Sequence, residues 1–160
     1  MSATTRLASK LYRAPGQADR PAQPERRVTA TPPALTALAR LRERRGPVIL
    51  YQSGGCCDGS TPMCFPRGEF LVGDQDVLLG DIGGQPFYIG GAQFEYWRHT
   101  HLIIDVVPGR GGMFSLEGPE GVRFLTRSRL YTDDESRQLE LQPLQIGPAA
   151  ATTATTATAL

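Results

Sequence analysis

A chain of 160 residues with 40% hydrophobic and 21% charged residues suits one folded domain and is too apolar for a disordered polymer. Its formal net charge of +1 excludes the strong field that draws nucleic-acid binders and membrane-surface proteins to their partners. No apolar run nears the roughly 18 residues that a membrane-spanning helix needs, and 18 Gly with 13 Pro favour short strands and tight turns over a helical bundle.

Residues 1–27 are rich in Arg, Ala, Gln and Pro without a sustained hydrophobic period, so a disordered N-terminal extension is expected there. Ser9, Lys10, Arg13 and Pro15 interrupt any apolar leader, and a cytoplasmic, reducing location is the expectation. Three cysteines in that setting read as thiols or ligands rather than as disulfides.

The globular domain is expected over residues 28–131. Thr31 before Pro32 and Pro33 predicts a helix start, Leu35, Leu38 and Leu41 its apolar stripe, and Gly46-Pro47 its stop. Residues 48–52 form a buried strand that delivers the chain into Ser53-Gly54-Gly55-Cys56-Cys57-Asp58-Gly59-Ser60, with Cys64 on the same Gly-rich loop. Residues 70–72, 77–79 and 85–89 read as further short strands, and 92–98 as a short helix. The clearest strand runs from Thr100 to Val107, with Leu102, Ile104 and Val106 on one face and His99, His101, Ile103 and Asp105 on the other. Residues 108–112 turn the chain towards a hairpin partner at 113–116, and a strand covers 122–128. Residues 132–160 lose the apolar pattern and read as a disordered low-complexity tail. The expected fold is α+β, mostly β: a small two-layer β domain with one N-terminal helix and one short central helix.

All three cysteines and both histidines fall between positions 56 and 101. Glycines at 54, 55 and 59 permit positive φ, which lets a backbone close around a small object. Thiolate sulfur suits soft or borderline ions and iron–sulfur clusters, and imidazole adds a further ligand or an acid–base group. The candidate metal ligands are therefore Cys56, Cys57, Cys64, His99 and His101, holding a metal ion or an iron–sulfur cluster. No Cys-x-x-Cys pair makes a zinc ribbon, and no phosphate loop, dinucleotide fingerprint or nucleophile elbow is present. Buried structural thiols, and a Cys–His nucleophilic pair, are the alternatives.

Long motifs carry a resemblance. Gln52-Ser53-Gly54-Gly55-Cys56-Cys57-Asp58-Gly59-Ser60, Glu95-Tyr96-Trp97-Arg98-His99-Thr100, Asp105-Val106-Val107-Pro108-Gly109-Arg110-Gly111-Gly112, Phe114-Ser115-Leu116-Glu117 and Arg123-Phe124-Leu125-Thr126-Arg127-Ser128-Arg129 resemble the bacterial family catalogued as domain of unknown function 779. That family is encoded frequently beside aldehyde and alcohol dehydrogenases, which implies such an enzyme as a partner. The chain has neither the length nor the cofactor motif of a dehydrogenase itself. More remotely, the opening Val28-Thr29-Ala30-Thr31-Pro32, the strand into Gly54-Gly55-Cys56, and Gly112-Met113-Phe114-Ser115-Leu116-Glu117-Gly118-Pro119 are similar to the HesB/IscA-like A-type iron–sulfur carriers. By that likeness Cys56 stands for the first cluster cysteine, while the carriers' two C-terminal cysteines have no counterpart. The expected function is a small metal- or iron–sulfur-binding accessory protein supporting an aldehyde or alcohol dehydrogenase, possible as a homodimer, without nucleic acid or membrane. A thiol-dependent enzyme acting on aldehyde-derived metabolites and a dehydrogenase-binding protein with structural cysteines are the competing readings.

Overall fold

The first helix shows how local chemistry sets the architecture. The strand β1 (Val28–Ala30) ends at Thr31, whose side chain accepts the Ala34 N–H and so caps α1 (Pro32–Arg45). Pro32 and Pro33 occupy positions whose N–H groups would have no helical partner, and Gly46, at φ 78°, ends the helix. The buried stripe is Ala34, Ala37, Leu38 and Leu41, whereas Leu35 is 38% exposed. A strict three-residue spacing drifts around a 3.6-residue helix, so the leucines alone misplace the face.

The computed structural model describes residues 25–54 and 60–148. After α1 follow β2 (Val48–Gln52), β3 (Pro62–Pro66), β4 (Val77–Ile82), β5 (Gln85–Ile89), α2 (Gly91–Trp97) and β6 (Thr100–Pro108). A 3-10 turn (Gly118–Glu120) then leads to β7 (Val122–Leu130), α3 (Asp133–Glu140) and β8 (Gln145–Ile146). The fold is α+β and mostly β, in two small sheets. No helix among the described residues is long and apolar enough to cross a membrane.

The smaller sheet has the order β1-β6-β7, with β1 parallel and β7 antiparallel to β6. The larger has the order β3-β2-β5-β4-β8, with β2 and β5 parallel. Between the sheets and α1 lies the main core, which includes Leu38, Leu41, Leu50, Phe87, Ile89, Leu102, Ile104 and Phe124. On the other side of the larger sheet, Ile49, Leu78 and Tyr88 pack under Tyr51, Phe65, Phe70 and Val72. Every residue of β5 is buried because it is the central strand with both faces covered.

Four sequence expectations are corrected. Residues 70–72 form no strand and instead cover the sheet as an irregular segment. Residues 113–116 are not the hairpin partner of β6; that place belongs to β7, paired from Thr100↔Leu130 to Pro108↔Val122. The 109–118 segment crosses instead to the edge of β3, where the Leu116 N–H reaches the Cys64 carbonyl at 2.9 Å. Cys64 lies on β3 and not on the loop; Pro62 and Pro66 flank it at an edge strand, where a missing N–H is tolerated. Finally, residues 132–148 join the fold. Thr132 and Glu135 form a reciprocal capping box on α3, Leu139 is buried, and β8 pairs with β4.

Candidate functional site

Two antiparallel strands hold the neck of the cysteine loop. The last β2–β3 pair is Gln52↔Pro62. Beyond it the Ser53 N–H donates to the Thr61 carbonyl at 2.9 Å, and the Thr61 N–H donates to the Ser53 hydroxyl oxygen at 3.1 Å. Beneath this pair Gln52 is fully buried; its amide donates to Ser60 Oγ at 2.8 Å and its carbonyl oxygen accepts from Thr126 Oγ1 at 2.7 Å. Ser60 in turn donates to the Ser53 carbonyl at 2.7 Å. Each buried polar group in this network is satisfied, so the network is rigid rather than costly. Gly54 does not use the left-handed backbone expected of it. Cys56, Cys57, Asp58 and the glycines at 55 and 59 lie outside the described residues.

Cys64 faces inward, fully buried in the main core beside Leu50 and Phe124. Its N–H donates to Ser115 Oγ at 2.8 Å, and the Ser115 hydroxyl donates to Glu117 Oε2. Glu117 is only 1% exposed and also accepts N–H groups of its own backbone and of Phe124. Burial pushes the Glu117 carboxyl up against these hydrogen bonds. Burial, reinforced by Glu117, pushes the Cys64 thiol up to about 12. A thiol so held stays protonated at neutral pH in the metal-free chain, which makes it a poor nucleophile.

The two histidines stand elsewhere. Leu102 and Ile104 point into the core, so His101, out of phase with them, belongs to the outer face of the smaller sheet. Its Nε2 is 2.8 Å from Thr29 Oγ1, a second bond reaches the Arg26 backbone, and Tyr131 packs edge-on at 6.2 Å. Burial, and then Arg129 across the strand pair, lower its pKa, so the neutral ring is favoured. His99 is exposed and lines a cleft of about 210 Å³ with Phe94, Arg27 and Tyr131. Cys64, His99 and His101 therefore do not form one coordination sphere: a sheet separates the thiol from the imidazoles. Among the described residues no group of three or more His, Cys, Asp or Glu side chains could hold a metal ion. Of the five expected ligands, Cys64, His99 and His101 do not meet around one ion among the described residues, while Cys56 and Cys57 lie outside them.

The buried Gln52, Ser60, Ser115 and Glu117 and the half-buried Thr126 were not singled out by sequence as site residues. Glu117 ends the Phe114-Ser115-Leu116-Glu117 motif just before Gly118-Pro119, and only its two-residue spacing from Ser115 hints at a shared side.

The family described as Domain of unknown function (DUF779) matches residues 37–130, more than half of the chain. The chain belongs to that family. The DUF779 match starts on α1 and stops at the end of β7, so it takes in the loop neck, Cys64, both histidines and Glu117. In this DUF779 protein β1, α3 and β8 lie beyond the matched residues yet join the same two sheets and their cover. A comparison with curated proteins finds no match.

Proposed function

We propose that this protein is a small metal-binding accessory protein whose ligands are the thiolates of Cys56 and Cys57. The observation that carries the reading is the loop neck. Ser53 and Thr61 bind each other reciprocally, and Gln52, Ser60 and Thr126 anchor the pair from below. A segment with two adjacent thiols thus leaves and re-enters the fold at neighbouring, fixed points. Fixed ends lower the entropy lost when a ligand orders the residues between them.

Two thiolates fill half of a tetrahedral sulfur site, the arrangement that soft and borderline ions favour. The remaining ligands come from a second copy of the chain, which makes the ion the link of a homodimer. An iron–sulfur cluster bridging two copies meets the same sulfur count and agrees with the remote likeness to HesB/IscA-like carriers. Cys64, protonated in the core, keeps a packing role in this reading. The location is cytoplasmic, where thiols stay reduced. The resemblance-based association with aldehyde or alcohol dehydrogenases makes such an enzyme the protein that the metal site serves.

The test is elemental analysis and absorption spectroscopy on anaerobically purified protein, with mass measured in solution. The expected result is about half an ion per chain on a dimer, lost together with dimerisation in C56S/C57S. A folded, metal-free monomer that takes up no Zn(II), Cu(I) or iron with sulfide contradicts the reading.

A further inference from the structure

We propose that the cleft between α1 and the 3-10 turn at the end of β6 and β7 binds a small organic carboxylate with an apolar body. The cleft has a volume of about 580 Å³, within the size range of small-molecule sites. Its floor is apolar: Ala37 and Leu41 of α1 are buried there, and Val106, Leu116 and Val122 are half-buried opposite them. Its rim is cationic. Arg40 and Arg44, four residues apart on α1, line the same side, with Arg45 beside them.

The charge balance at this rim is uneven. Arg44 Nη1 pairs with Glu120 Oε1 at 2.7 Å, reaching from α1 to the 3-10 turn. That contact already shows a carboxylate seated on an arginine of the cleft. The Arg40 and Arg45 guanidinium groups have no hydrogen-bond or ion-pair partner among the described residues. Glu120 is the only acidic side chain among the described lining residues. Guanidinium groups at the mouth of an apolar trough suit an anion whose head pairs in a fork while its body covers the floor. A bare inorganic anion would leave the floor wet, and a neutral amphiphile would leave the two guanidiniums unused.

The experiment is an amide-resolved NMR titration of the full chain with octanoate, against 1-octanol and acetate as controls. Expected are saturable shifts confined to residues of α1 and the 116–122 segment, with a dissociation constant of about 1 mM or tighter for octanoate. Acetate and 1-octanol should each bind at least about tenfold more weakly. R40A/R45A should lose about tenfold in octanoate affinity, with an unchanged thermal midpoint because both side chains are exposed. The proposal is overturned by the absence of saturable shifts, by shifts centred elsewhere, by equal binding of 1-octanol or acetate, or by an R40A/R45A variant that binds as well as the parent.

Discussion

Cys64 and Glu117 carry opposite lessons about the same few cubic ångströms. The thiol is an acceptable core group because it is small and weakly polar. Alkylation of the native protein at pH 8 should therefore leave Cys64 unmodified until unfolding, as mass spectrometry of chymotryptic peptides will report; rapid native labelling would contradict its burial. C64A should cost about 1 kcal/mol, the loss of a small buried group with little cavity. Glu117 is harder to accommodate, since it is buried with no cationic partner among the described residues. Its folded pKa lies above the ordinary value of 4.5. The contribution to stability is thus full below the unfolded value and is lost as pH rises through the folded one. Denaturant melts of E117Q from pH 4 to 8 should show a flatter profile than the parent over that range, with the gain greatest at the alkaline end. E117A should be worse than E117Q at every pH, because it leaves the Ser115 hydroxyl and the Phe124 N–H without their acceptor. Gly111 belongs to this unit: a Cβ there would sit 2.8 Å from Glu117 Oε1.

At the scale of elements, the strands and helices with simple chemistry were readable from sequence. Thr31 with two prolines announced α1, and Gly46 announced its end. Alternation placed Leu102 and Ile104 inward on β6, and the apolar runs 48–52 and 85–89 became β2 and β5. What escaped was everything fixed by partners distant in sequence. Met113 and Phe114 are apolar and so looked like a strand, yet both are exposed, because Ser115 and Glu117 are the residues that dock on Cys64. The sequence of α3, Asp133-Asp134-Glu135-Ser136-Arg137-Gln138-Leu139-Glu140, is almost wholly polar, so its single buried Leu139 gave no period to read. Its Thr132–Glu135 capping box was nevertheless in plain view. T132A should lower stability by about 1 kcal/mol, measured by chemical denaturation. Glu135 also pairs with Arg129, which with the Thr132 backbone lowers its carboxyl to about 2. That contribution is present above the unfolded value and fades as pH falls towards 2.

For the whole molecule, the boundary of the folded unit matters as much as the site. Leu139 is 3% exposed, the Arg27 guanidinium bonds to its carbonyl, and the Tyr88 hydroxyl donates to the Gly147 carbonyl at 3.2 Å. Truncation after Tyr131 should therefore destabilise the domain by more than about 2 kcal/mol, the burial of Leu139 alone; an unchanged melting temperature would mean that α3 and β8 are dispensable. The same molecular layout separates sulfur from imidazole. Sequence placed all five candidate ligands in one stretch of chain, but the fold puts Cys64 inside the core and the histidines on the far face of the smaller sheet. The proposed metal site therefore rests on the two loop thiols and a second copy of the chain. The most direct measurement is a Co(II) titration, under reducing anaerobic conditions, of the parent, C64A and C56S/C57S, following the thiolate-to-metal charge-transfer band. The account predicts that C64A keeps the band at full amplitude, saturating near half an ion per chain, while C56S/C57S abolishes it. A band that disappears with Cys64 alone, or persists without Cys56 and Cys57, contradicts it.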